Sequence, residues 1–272
     1  MELAQLAYFR ACAILLVLLF SAAAARAQFS RLNDLAAQLE KELKPVKPHL
    51  VAVADFRPPY GADLPQGHYF AWLVSDGLRI RAKKHFTVAE HKSFDADLAK
   101  LHITNPLGSD IAHPAISPQI GADVLITGSI ERQGDSYILV VTPVVVATRK
   151  FLGSLRHQIV VNEFLDSMVT PLPQNVAQAG TNGTGMPMCI YCPDPIYSDW
   201  ARSEKISGVS IFSVLISPDG AAQQIRPLKM LGYGLDEQAY DAIKKWKFRP
   251  AHDGNGANVA TIVPVEVTFR LY

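Results

Sequence analysis

The run Thr261-Ile262-Val263-Pro264-Val265-Glu266-Val267-Thr268-Phe269-Arg270-Leu271-Tyr272 decides how the C-terminal part of this chain folds. Val263, Val265, Val267, Phe269 and Leu271 fall on one face and Glu266, Thr268 and Arg270 on the other, which is the period of a β-strand covering a core on one side only. Proline cannot donate to a ladder, so Pro264 pushes this strand, and Pro227 pushes its own, toward a sheet edge. Val209 to Ile216 is β-rich and proline-free, and it is expected to lie between those two edges.

Working outward, Pro218-Asp219-Gly220 is turn chemistry, and it leads into a hairpin partner from Gln224 through Leu231. Leu235 to Trp246 reads as an amphipathic helix, with Leu235, Ala239, Ala242, Ile243 and Trp246 on one face. Asp236 and Glu237 sit in its first turn and Lys244, Lys245 and Lys247 near its end, the arrangement a helix dipole favours. The acidic residues of the helices are read as solvated faces. Ile196 to Ile206 is expected to form a short helix before the first strand. If Pro264 faces outward, the backbone groups of Glu266, Thr268 and Arg270 face outward with it, free to bond an extended peptide or, alternatively, a second copy of the chain.

Upstream, Pro171 to Pro187 is rich in Pro, Gly, Asn, Gln and Thr and supplies few aliphatic side chains, so residues 169–188 read as a flexible linker. Residues 30–168 carry another pattern. Leu32, Leu35, Leu39 and Leu43 form one helical stripe, and Leu50 to Phe56 reads as a buried strand. Gly67 to Lys84 is helical in period, with a short strand from Phe86 to Ala89 after it. A helix is expected at Phe94 to Leu101 and a helical turn at Ile116 to Ile120. Val124 to Arg132 and Tyr137 to Ala147 flank the turn Gln133 to Ser136 as a hairpin, and Phe151 to Val161 adds a further strand. The fold class expected is α+β: a mixed α/β domain over residues 30–168 and a small sheet-and-helix domain over 189–272.

Residues 1–27 read as an export signal, with Arg10 before the apolar run Ala11 to Phe20 and Ala25-Arg26-Ala27 as an A-x-A site, so cleavage would fall between Ala27 and Gln28. The alternative is an uncleaved anchor in the inner membrane. Export places the remainder in the periplasm, where Cys189 and Cys192 are expected to form a local disulfide, crowded into a loop by Pro187, Pro193 and Pro195. A redox-active C-x-x-C pair is the competing reading.

The 26 Lys plus Arg and 25 Asp plus Glu nearly balance, so no field gathers nucleic acid. Eight scattered histidines form no H-E-x-x-H or i, i+4 pair, no G-x-S-x-G elbow occurs, and Ser75-Asp76 with His68 carries no promise of hydrolysis. Neither a metal nor a cofactor is expected. Gly232-Tyr233-Gly234 before a helix could cradle an anion but reads more simply as a turn.

Ala201-Arg202, Lys205-Ile206, Gly208, Pro218-Asp219-Gly220, Leu235-Asp236, Ala239, Ala242, Trp246-Lys247-Phe248, Pro250-Ala251 and Val263 to Leu271 occur in the order in which this stretch resembles the C-terminal domain of the energy-transducer protein TonB. The resemblance implies three antiparallel strands with helices on one face, and pairing by strand addition with a short segment of TonB-dependent outer-membrane transporters. The edge residues Val263, Val265, Glu266, Thr268 and Arg270 would then meet the partner. The transducers also carry a histidine-bearing membrane helix and a long Pro-rich spacer, whereas the first histidine here is His49 and the linker is short. Val51 to Phe56, Ser75-Asp76-Gly77-Leu78 and Ile120 to Ile130 resemble the N-terminal domain of the translocation protein TolB and its relatives in curli assembly, which implies a second, non-enzymatic interaction module. The function expected is a periplasmic adaptor linked to transmembrane transport, with a thiol-disulfide protein or a structural envelope dimer as alternatives.

Overall fold

The computed structural model describes residues 32, 34–60, 62–82, 85–90 and 121–271. The export signal expected over residues 1–27 with its cleavage site at Ala27 and Gln28, the helix expected at Phe94 to Leu101 and the turn expected at Ile116 to Ile120 lie outside these residues. The chain falls into two compact units, one of Met1–Pro59 with Gly77–Val160, the other of Tyr60–Asp76 with Val161–Tyr272. Residues 60–76 and 161–168, read from sequence as part of the N-terminal domain, therefore group with the C-terminal unit. No helix among the described residues is long and apolar enough to cross a membrane.

In the first unit, helix α1 (34–43) buries Leu35, Leu39 and Leu43, the stripe their spacing predicts. Strand β1 (Leu50–Val53) pairs in parallel with β2 (Thr87–Val88) on one side and β3 (Val124–Gln133) on the other. A strand flanked on both sides in a parallel array reads as an uninterrupted apolar run, and Val51, Ala52 and Val53 are all buried. The Asp123 carboxylate accepts from the amides of His49 at 2.6 Å and Leu50 at 2.9 Å, fastening the start of β1 beside that of β3, and these two bonds hold its pKa below the ordinary value. β3 turns into β4 (Ser136–Val145), a hairpin in register from Gln133↔Ser136 to Val124↔Val145.

The single strand expected over Phe151 to Val161 is two. β5 (Lys150–Phe151) and β6 (Leu155–Val160) both pair with β4, and one extra residue is accommodated between Val144↔Phe151 and Val141↔Leu155. Pro143 lies at that interruption and has no N–H to give the ladder, though its carbonyl still accepts from Leu152 at 3.0 Å.

In the second unit, β9 (Gly208–Ile216) is the central strand expected, flanked by β10 (Ala222–Lys229) and β14 (Thr261–Phe269). The reverse turn between β9 and β10 requires glycine at Gly220: its φ is +81°, and an added Cβ would lie 1.9 Å from the Phe248 carbonyl oxygen. Two helices end near their expected places. α4 (Asp199–Ser203) is capped by Ser198, whose hydroxyl accepts from the Ala201 amide at 3.0 Å, and α5 (Leu235–Ile243) stops three residues before Trp246. Helix α2 (Pro65–Arg81) begins in this unit, and α3 (Glu163–Ser167) lies within it, capped by Asn162.

Three expectations need correction here. The sheet has four strands, because β7 (Ala177–Gln178), within the linker, pairs in parallel with β14 at Thr261 and Ile262. Linker composition argued against a core, correctly for its side chains, but β7 joins through backbone hydrogen bonds that need no apolar residue. Cys189 lies on strand β8 (Met188–Tyr191), paired antiparallel with β11 (Lys247–Arg249), rather than in a loop, and Cys192 follows directly after the strand; the flanking prolines stand just outside the ladder. Asp236 and Glu237 are not solvated but buried, at 0% and 5% exposure. A short pair, β12 (Ala251–His252) with β13 (Asn258–Val259), completes the unit.

Candidate functional site

The two outer edges of the β10–β9–β14 array differ. β10 carries Pro227 and shows register shifts against β9 at two places, irregularities that spoil an edge for further pairing. β14 runs against β9 without a shift, from Thr261↔Ile216 to Phe269↔Gly208. Beyond Ile262, no strand among the described residues pairs with its other side.

Which backbone groups face that side follows from two observations. Ala179 N–H donates to the Ile262 carbonyl at 3.2 Å, so Ile262 presents its backbone away from β9. Strand period gives Pro264, Glu266 and Thr268 the same orientation, and at Pro264 the missing donor costs β9 nothing. The open edge thus offers the amides of Glu266 and Thr268 and the carbonyls of Pro264, Glu266 and Thr268. The side chains of Pro264, Glu266, Thr268 and Arg270 are exposed, whereas Val263, Val265, Val267 and Phe269 are buried. Of the residues assigned from sequence to the partner, Val263 and Val265 therefore hold the edge strand down on the core, with no side-chain surface to offer. The strand stops at Phe269, which meets Tyr197 edge-on at 5.4 Å, and Leu271, expected on the core face, is exposed.

Cys189, on β8, and Cys192, just past its end, are joined by a disulfide. Opposite them, Trp246 donates its indole N–H to the Pro193 carbonyl at 2.9 Å. His68 and Ser75-Asp76 lie on α2, and the Ser75 side chain is buried, its hydroxyl without a hydrogen-bond partner among the described residues.

Behind the sheet lies a cluster that the sequence did not disclose. Gly232, Tyr233 and Gly234 all have positive φ, at 76°, 53° and 76°, forming a left-handed turn. The anion this turn holds belongs to the chain itself: Asp236 accepts from the amides of Leu231 at 2.9 Å and Gly232 at 2.7 Å, and from the Ser210 hydroxyl at 2.7 Å. Burial pushes the Asp236 carboxyl up to about 6, and those hydrogen bonds hold it from going further. Next to it, Glu237 is pushed up to about 8 by burial first and by the charge of Asp236 second. Tyr69 donates its hydroxyl to Glu237 Oε1, while Oε2 has no hydrogen-bond partner among the described residues. Burial, then the charge of Glu237, also raises Tyr69 well above the ordinary phenol value. Tyr69 packs edge-on to Phe164 at 5.5 Å, and Phe164 to Tyr240 at 5.7 Å. Sealed from solvent, these groups form a structural joint between α2, α3 and α5. The one sequence signal for them is that Asp236 and Glu237 come one residue after the Gly232-Tyr233-Gly234 turn.

Residues 193–271 match the family described as Gram-negative bacterial TonB protein C-terminal. Comparison with curated proteins finds no match. Among solved structures, the C-terminal domain of LpoB from Escherichia coli is similar at 13% identity and a TM-score of 0.37, covering 49% of this chain and 98% of that one. The TonB C-terminal domain of Pseudomonas aeruginosa is similar at 20% identity and a TM-score of 0.28, over 36% of this chain and 95% of that one. TolB from Acinetobacter baumannii gives 15% and 0.23, over 68% and 39%. The turn at Pro218-Asp219-Gly220, the helix ahead of Trp246-Lys247-Phe248 and the closing strand all fall within residues 193–271, the stretch that matches the TonB C-terminal family.

Proposed function

We propose that this chain is a non-catalytic periplasmic adaptor that recruits an extended segment of an envelope protein by strand addition to β14. The observation that carries the reading is the regular edge from Pro264 to Thr268, unpaired among the described residues, set against a β10 edge broken by Pro227 and two register shifts. Main-chain bonds to Glu266 and Thr268 would supply affinity, and the exposed Glu266, Thr268 and Arg270 side chains would supply selectivity. A TonB-dependent outer-membrane transporter is the partner class that the match of residues 193–271 to the TonB C-terminal family supports, which would link the chain to transmembrane transport.

The test is removal of an outward amide without disturbing the ladder to β9. Thr268→Pro deletes one donor on the open side, as Pro264 already does four residues earlier. The full exported chain and this variant are compared for capture of envelope proteins, with the β9 amide spectrum as a check on the fold. Capture unchanged by Thr268→Pro would refute strand addition, and a dimer formed through the same edge would appear in light scattering as twice the monomer mass.

A further inference from the structure

The edge assigned to the partner is already occupied at one end by the chain itself. β7 lies parallel to β14, with Ala177 opposite Thr261 and Gln178 opposite Ile262, and Ala179 donates to the Ile262 carbonyl. Both β7 side chains are exposed, so backbone bonds rather than apolar burial keep the segment there. Such short, solvent-facing pairings belong to the part of a structure that opens most readily.

At Gly180, with φ +75°, the chain turns away. Its turn is closed by the Thr181 hydroxyl on the Gln178 carbonyl at 2.8 Å and by Thr184 N–H on the Thr181 carbonyl at 2.9 Å. Gly185 then anchors the segment again by donating to the His252 carbonyl at 2.8 Å. The departure comes just before Pro264, where the open run begins. Below the join, Thr261 is fully buried, and its hydroxyl has no hydrogen-bond partner among the described residues.

We infer that residues 177–179 are a self-supplied strand capping the start of the docking edge, and that a peptide running parallel to β14 must displace them to use its whole length. The inference rests on the strand-addition reading of β14. Displacement would add the outward groups at Ile262 to those at Glu266 and Thr268. Tethering favours the resident strand, because a covalently attached segment faces its site at an effective concentration in about the millimolar range.

The probe is a synthetic peptide copying residues 174–181, added to the isotope-labelled full chain and to a variant with Val176→Gly, Ala177→Ser, Gln178→Gly and Ala179→Ser. The variant should bind the peptide at least about tenfold more tightly than the unaltered chain does, as expected when glycine at 176 and 178 makes the tethered competitor costlier to order. Amide shifts in the variant should centre on Ile262 and Glu266. Ala179→Pro, which deletes only the N–H that reaches Ile262, should respond in between and serves as the second variant if the first loses the β9 amide pattern. Equal response in the altered and unaltered chains, or none in the altered ones, overturns the inference and leaves the reading of the Pro264–Thr268 edge untouched. Peptide binding to the released edge alongside partner capture that ignores Thr268→Pro would instead remove the strand-addition function and keep β7 as an internal cap.

Discussion

Glu237→Gln should flatten the dependence of C-terminal-unit stability on pH. Burial carries the Glu237 carboxyl from its ordinary 4.5 to about 8 in the folded chain, so between those values the folded state holds a proton that the unfolded state has released. Stability is then fully present below pH 4.5, falls as pH rises, and levels off above about 8. The slope is about 1.4 kcal/mol per pH unit, or on the order of 3 kcal/mol between pH 6 and pH 8. Asp236 has the same sign, but its window closes near pH 6, so the interval from 6 to 8 reports chiefly on Glu237. Glutamine keeps an acceptor for the Tyr69 hydroxyl and has no charge to develop, so its slope over this interval should fall to under about 0.5 kcal/mol per pH unit. The assay is urea unfolding followed by tryptophan fluorescence. Trp72, Trp200 and Trp246 are the chain's three tryptophans and all lie in the C-terminal unit, so the signal isolates it. Equal slopes for the variant and the unaltered chain would refute the assignment of a buried, protonated Glu237.

Tyr69→Phe should destabilise the same unit by about 1 to 3 kcal/mol at pH 6, since it strips the buried Glu237 of its donor; the urea midpoint reports it. Gly220→Ala should cost more than about 2 kcal/mol, because a Cβ there meets the Phe248 carbonyl oxygen and φ is positive; the melting temperature of the tryptophan signal checks it. Replacing Cys189 and Cys192 by serine should lower stability by about 2 kcal/mol, the chain-entropy value for so short a loop, and should leave partner capture unchanged. Insulin reduction by the unaltered protein would contradict a purely structural disulfide.

The C-terminal sheet was readable because its signals are local and agree with one another. Pro264 and Pro227 mark edges, the proline-free Val209 to Ile216 marks the centre, and Pro218-Asp219-Gly220 demands a turn. β7 was hidden because strand addition is a backbone interaction, and Ala177-Gln178 has no side-chain pattern to declare it. Val263 and Val265 were assigned to the partner because a strand's position at an edge was taken to involve its side chains, whereas the pleat sends those two into the core. The split of β5 from β6 turned on Pro143 in the neighbouring strand, a non-local cause. Asp236 and Glu237 misled most. Acid residues in a first helical turn usually face water, and only the left-handed turn at Gly232 to Gly234 and the arrival of Tyr69 from α2 explain their burial.

The most direct measurement of the central claim is residue-resolved amide hydrogen exchange of the full chain, free and in complex with a captured envelope partner. Strand addition to β14 predicts new protection at Glu266 and Thr268, the amides on the open side, with Val265 and Val267, already bonded to β9, unchanged. Exchange at Glu266 and Thr268 as fast in the complex as in the free chain would contradict it.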